Sequence, residues 1–348
     1  MKKVIVLFVL LALLTGFAFA SGQQQQQQQA AGGEKYEIVM VVKLEGVAWF
    51  DNMRLGIQDF NNKYPDVNAY QIGADTADPA AQVALVEDLI AKGVDAILVV
   101  PNDPASLVPV FKRANDEGIL TLTHEASVQQ QVSFDIEAFD NTAYGRHMAE
   151  VMAKWMNGQG VWQPFVGHLT STTHNEWVDG EISLLKEQFP NIKQATDRIE
   201  EQENQQIAYE KSLELLKTYP ALKAIMGSAM STVPGAAQAI EEKGLIGKVA
   251  AFGTCLPSVA GDYLESGAAQ SIHFWVPADA GYVTARAAYE LLKGNQVTEG
   301  MDMGKPGYES ITIKKNKSGV PVIYGQAWVD VNKDNLDQWK DANGDYKL

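Results

Sequence analysis

Residues 87–119 read EDLIAKGVDAILVVPNDPASLVPVFKRANDEGI. They decide the fold. Val83, Val86 and Ile90 recur three and four residues apart, which marks one buried face of a helix over 79–92. Gly93 follows, the residue type that most readily takes the left-handed conformation closing a helix. The next run, Ala96-Ile97-Leu98-Val99-Val100, is apolar at every position rather than at alternate ones, as expected of a parallel strand covered on both faces. A second helix over 107–117, Gly118 and another apolar stretch at 120–123 repeat the unit.

The same alternation extends outward in both directions. Toward the N-terminus lie the apolar run Ile38-Val39-Met40-Val41-Val42, a helix with Met53, Ile57 and Phe60 on one face, closed by Pro65, and a strand over 69–72. Toward the C-terminus the series restarts after Asn141, with strands expected over 162–166, 192–195, 224–227 and 249–252. The segment LLKTYPALKAIMG at 215–227 echoes DLIAKGVDAILVV at 88–100, so the two halves share one plan. The fold class is α/β, with two Rossmann-like lobes in series.

Composition bounds the function. Across 348 residues, 28 Lys and Arg stand against 43 Asp and Glu, a formal charge of −15, which repels phosphate backbones and anionic lipid and argues against a nucleic-acid partner. The single cysteine, Cys255, allows no internal disulfide and no Cys-built metal centre, and no metal or cofactor is expected. At the N-terminus, Lys2 and Lys3 precede an apolar run over 4–14, and Ala18-Phe19-Ala20 offers the small-x-small pattern of a cleavage site, so residues 1–20 are expected to be a signal peptide. There is no cysteine at that site to carry a lipid. Residues 21–35, with the glutamine tract 23–29, read as a flexible tether, and the folded chain is expected to begin near Tyr36 and to be exported.

Three stretches carry a resemblance: the opening run 87–119, the joint DIEAFDNTAYG at 135–145 and FWVPADAGY at 274–282. Together they resemble the type I periplasmic binding proteins of ABC importers, in the branch that takes pentoses, rhamnose and the furanose-like signal autoinducer-2. The resemblance runs from about Tyr36 to Trp328 and implies two lobes joined by a three-segment hinge, closing on a small ligand. It places the crossings near Asp140, Trp275 and Lys305. The first lobe is then 36–140 with 276–305, the second 141–275 with 306–335, and 336–348 a C-terminal tail.

In open α/β sheets ligands sit beyond the carboxyl ends of the strands. The residues there are Lys43, Trp49 and Phe50 after the first strand, Asn102 and Asp103 after the third, Glu125 after the fourth, and Asp140 and Asn141 at the first crossing. The second half supplies His174, Asn175 and Trp177 within TSTTHNEW, then Met230, Ser231, Thr254 and Trp275. A sugar presents apolar C–H faces and a rim of hydroxyls, and flat aromatic plates with paired carboxylates and amides complement both. The resemblance matches Trp49 and Phe50 to the family's aromatic pair, Glu125 to an acidic residue that takes two sugar hydroxyls, Asp140 and Asn141 to its hinge pair, and Asn175 and Trp275 to polar contacts. Ribose binders carry Asn-Asp and Phe-Asp where this chain has Ala229-Met230 and Phe252-Gly253, and Met230 with the tryptophans suits a methyl-bearing sugar such as rhamnose. Lys43 resembles a lysine of autoinducer-2 receptors, whose acidic residue in the second lobe is here Thr173 beside His174.

The chemistry of an enzyme lacks its scaffolds. There is no G-x-G-x-x-G, Walker or G-x-S-x-G sequence, and His124-Glu125 begins like a zincin motif whose fifth position is Val128. Glu125 with Asp103 or Asp140 could imitate the carboxylate pair of a glycoside-processing enzyme, a reading that depends on their separation. Asp330, Asn332 and Asp334 open like a calcium loop, but Asn335 stands where the loop needs glycine. The expectation is a monomeric binding protein that is not an enzyme, with a monosaccharide ligand, autoinducer-2 as the alternative, and an inner-membrane ABC permease as partner.

Overall fold

The apolar runs become the buried centres of two sheets. A computed structural model of the chain describes residues 35–348. The expected signal peptide and all but the last residue of the expected tether lie outside the described residues. In chain order the first elements are β1 (Tyr36–Val42), α1 (Ala48–Lys63), β2 (Val67–Gly73), α2 (Pro79–Lys92), β3 (Ala96–Val99), α3 (Pro104–Asp116), β4 (Leu120–His124) and β5 (Phe134–Glu137). Then follow α4 (Asn141–Trp155), β6 (Gln159–Val166), α5 (Thr172–Gln188), β7 (Asn191–Gln194), β8 (Ile199–Glu200), α6 (Gln205–Thr218), β9 (Leu222–Gly227), α7 (Thr232–Glu242) and β10 (Ala250–Thr254). The last are α8 (Pro257–Ser266), β11 (Ala269–Phe274), α9 (Pro277–Leu292), β12 (Thr312–Lys315), β13 (Pro321–Tyr324) and β14 (Val329–Asn332), before a 3-10 turn at Leu336–Trp339.

The first sheet runs β12-β13-β5-β4-β3-β1-β2 and the second β14-β11-β10-β9-β6-β7, with β8 beside β6. All pairings are parallel except β12 with β13 and β11 with β14. Removing the late strands leaves the orders 2-1-3-4-5 and 7-6-9-10-11, which are the same doubly wound plan twice. The echo between the halves is therefore a shared topology. In β1 alternate residues serve the two faces. Ile38, Met40 and Val42 join the core under α1, while Val39 and Val41 join the one under α2 and α3. That double covering is why the run is apolar throughout.

The chain crosses between lobes three times. It leaves the first sheet after β5, returns after β11 into α9, and leaves again between β13 and β14. Helix α9 belongs to the first lobe, where Ala278 N donates to Asn52 Oδ1 at 3.0 Å. A Cβ at Gly56 would lie 1.8 Å from Ala278 O, so only glycine lets α1 and α9 approach so closely. The third crossing differs from the expected one near Lys305. Lys305 lies inside the first lobe, 2.8 Å from Asp59 Oδ2, and the β12–β13 hairpin extends the first sheet, so 306–324 is first-lobe chain. The tail packs on the second lobe, with Trp339 edge-on to Phe274 at 5.1 Å. Among the described residues no helix is long and apolar enough to cross a membrane.

Candidate ligand-binding site

Strand order predicts where a ligand can sit. In the 2-1-3-4-5 plan the crevice opens where the order reverses, beyond the carboxyl ends of the strands. A cavity of about 150 Å³ lies there, walled by both lobes. The first lobe contributes Lys43 just past β1, Trp49 and Phe50 in the first turn of α1, and Glu125 just past β4. The second contributes His174 and Trp177 from α5, Ser228 to Ser231 past β9, and Thr254 at the end of β10; Trp275 lies at the second crossing.

One wall is aromatic. Trp49 meets Trp275 edge-on with ring centres 4.7 Å apart, and Trp177 meets Trp275 at 5.8 Å. Such contacts fix large rings in place and leave their surfaces to the cavity. Charged groups line the same cavity. Lys43 Nζ donates to Glu125 Oε2 at 2.9 Å and lies 3.6 Å from Glu203 Oε1 on the second lobe. Burial alone would pull the Lys43 amine below its usual range, but Glu125 and Glu203 outweigh it and hold the group above that range, so it stays charged. His174 is held well below the usual range, by burial and then by the Lys43 charge, and is neutral. Its Nδ1 lies 3.2 Å from the Gly167 N–H and its Nε2 3.5 Å from Lys43 Nζ, so the ring is held between the second-lobe backbone and the first-lobe amine.

Both acidic residues beside Lys43 sit in left-handed backbone, Glu125 at φ 62° and Glu203 at φ 55°. For a residue with a Cβ that conformation costs about 1–3 kcal/mol, and such strain clusters where a side chain must be aimed. Glu203 Oε1 and Trp275 Nε1 are buried without a hydrogen-bond partner in the protein. An acceptor on the second lobe and a donor at the second crossing are thus available to a bound molecule.

The lobes also touch directly. Ser127 Oγ of the first donates to Glu176 Oε1 of the second at 2.7 Å, and Thr170 Oγ1 donates to Asn102 O at 3.3 Å. Behind the Ser127 contact lies an acidic group. Burial raises the carboxyls of Asp135, to about 7, and of Glu137 and Glu176.

Of the residues singled out from sequence, Lys43, Trp49, Phe50, Glu125, His174, Trp177, Met230, Ser231, Thr254 and Trp275 line this one cavity. Five are placed elsewhere, the first being Asn102, whose Nδ2 donates to Lys43 O at 3.1 Å. Asp103 and Asp140 are helix caps, their Oδ1 atoms accepting from Ala105 N and Ala143 N at 3.0 Å, and Asp140 also faces Lys314. Asn175 lies about 100° around α5 from His174, so it turns away; it donates to Leu169 O and Ser171 O and accepts from Arg198. Asn141 is buried behind the wall, where its Oδ1 accepts from Trp177 Nε1 at 2.8 Å and its Nδ2 donates to Glu176. It orients a plate and does not line the cavity. The structure adds Glu203, from the loop after the two-residue strand β8, and Gln205, the first residue of α6, together with Ser228 and Pro234.

Two doubly wound lobes, three crossings and a cavity enclosed between them define a hinged solute-binding protein. The periplasmic binding protein domain model matches residues 38–296, and the chain belongs to that family. A D-ribose/D-allose-binding protein of Pseudomonas aeruginosa is 25% identical over 233 residues, covering 63% of this chain and 70% of the relative. Among solved structures, an ABC transporter solute-binding protein from Clostridium phytofermentas with bound L-rhamnose superposes with a TM-score of 0.80 at 20% identity, covering 88% of this chain and 98% of that one. LsrB from Clostridium saccharobutylicum in complex with AI-2 also gives 0.80, at 19% identity, covering 88% and 100%.

Proposed function

We propose that the chain is an exported receptor that captures one monosaccharide between its lobes and presents the closed form to an inner-membrane ABC permease. The carrying observation is that one cavity between the lobes gathers the rings of Trp49, Trp177 and Trp275 together with the charged Lys43, Glu125 and Glu203. Plates take the C–H faces of a sugar and the charged groups take its hydroxyls. Val47, Ala229, Met230, Pro234 and Val259 add apolar surface to the same cavity, which favours a 6-deoxy-hexose of the rhamnose type or a pentose over a hexose that carries a 6-hydroxyl. The names of the relatives support a sugar ligand.

The role is binding without turnover, in the periplasm, with the protein acting as a monomer. Autoinducer-2 is the second reading, favoured by Lys43 at the mouth of β1 and by the likeness to LsrB. A thermal-shift screen against pentoses, 6-deoxy-hexoses, hexoses and autoinducer-2 distinguishes the readings, because a ligand that binds only the folded state raises its melting temperature by mass action.

A further inference from the structure

Away from the cavity, three side chains converge from distant parts of the second lobe. His147 lies on α4, His273 on β11 and Asp330 on β14. His147 Nε2 is 2.8 Å from Asp330 Oδ2, and His273 Nδ1 is 2.7 Å from Asp330 Oδ1. The three ligand atoms lie within 4.8 Å of one another.

We propose that His147, His273 and Asp330 form a site for a divalent transition metal of the zinc type. Two imidazoles and one carboxylate are the donor set that suits zinc, nickel or copper, whereas calcium and magnesium take all-oxygen shells. Around a tetrahedral zinc with bonds of about 2.0–2.1 Å the donors stand about 3.3 Å apart, so the trio closes onto a cation by small side-chain movements. Both rings are held by outer partners. Ser271 Oγ lies 3.0 Å from His273 Nε2, leaving Nδ1 toward Asp330, and His147 stacks on Trp328 with centres 5.5 Å apart and planes 10° from parallel. Such outer contacts fix which nitrogen is offered and in which direction. Asp330 keeps 41% of its side chain exposed, so solvent can reach the site and fill the remaining position.

Each ligand sits on an element joined to a different crossing. Helix α4 begins just after the first, β11 ends at the second and β14 begins after the third. A cation here ties together the second-lobe ends of all three hinge segments. No local pattern in the sequence joins the trio, because Asp330 is 183 residues from His147 and 57 from His273. The calcium-like turn at 330–335 has a different use: Asn335 Nδ2 donates to Asp330 O, and Asn332 Oδ1 accepts from Asp334 N.

The test is a titration of the untagged, chelator-treated protein with Co²⁺, followed by competition with Zn²⁺ and a thermal-shift measurement. The proposal expects one equivalent of Co²⁺ to give visible d–d absorption, Zn²⁺ to displace it, and Zn²⁺ but not Ca²⁺ or Mg²⁺ to raise the melting temperature by several degrees. His147→Ala and Asp330→Asn, both at half-buried positions, should lose the band while keeping the circular dichroism of the parent. Ser271→Ala should weaken binding about 10- to 100-fold. No band in the parent, or an undiminished band in both ligand variants, overturns the proposal.

Discussion

The Lys43 ammonium and the Glu203 carboxylate stand 3.6 Å apart across the cleft, one on each lobe, while Glu125 holds the same ammonium at 2.9 Å from its own lobe. A buried cation shared in this way couples closure to the contents of the cavity. Glu203→Ala leaves Lys43 paired with Glu125, so the protein should fold normally but bind its sugar about 10- to 100-fold more weakly by calorimetry. Lys43→Met leaves two carboxylates facing each other without a cation and should cost more. An unchanged dissociation constant in both variants would remove the charged groups from the account.

Trp49 serves two purposes, since it lines the cavity and packs edge-on against Trp275. Trp49→Phe should keep its stability and lose affinity, and Trp49→Ala should lose affinity and also about 3–5 kcal/mol of stability, measured by denaturant titration. Full affinity in Trp49→Phe would assign the ring to packing alone.

The sequence made the sheets legible because their strands are covered on both faces and therefore apolar at every position. It made ten cavity residues legible because the ends of those strands are the ends of visible runs. Glu203 and Gln205 follow a two-residue strand, Ile199–Glu200, which is too short to show a periodicity. Asn175 was misplaced because one residue along a helix turns a side chain about 100°, a rotation that strand-end reasoning does not resolve. The hairpin over 312–324 hid the third crossing, since its half-exposed strands carry the lysines Lys314 and Lys315 and lack the buried signature. Asn141 shows a related limit: its part in holding the Trp177 indole depends on a packing between helices that no local pattern records.

Glu176 is a latch between lobes, accepting from Ser127 Oγ and from Asn141 Nδ2. Glu176→Ala should shift the ligand-free protein toward an open arrangement, seen as a larger radius of gyration by small-angle scattering, and reduce affinity up to about tenfold. Identical scattering with and without the substitution would contradict it.

Glu181 is fully buried on α5 with neither carboxyl oxygen hydrogen-bonded in the protein, and burial pushes its carboxyl up to about 8. Between roughly pH 4.5 and 8 the unfolded chain has released this proton and the folded chain has kept it, so this group makes stability fall as pH rises through that window. The neutral histidines act oppositely below about pH 6.5: burial lowers His124 and His174, so acid favours the unfolded chain that can charge them. Glu181→Gln isolates one contribution. The difference in unfolding free energy between variant and parent should shift in favour of the variant as pH rises from 5 to 8. A difference independent of pH would show that Glu181 is ionised in the folded protein.

The most direct test of the central claim is isothermal titration of the purified protein with single monosaccharides, followed by chromatography of the recovered ligand. The account predicts that a 6-deoxy-hexose or a pentose binds at one per chain with a dissociation constant of about 1 μM or below and is recovered unchanged. Binding of no monosaccharide more tightly than about 1 mM, or recovery of a chemically altered sugar, would contradict it.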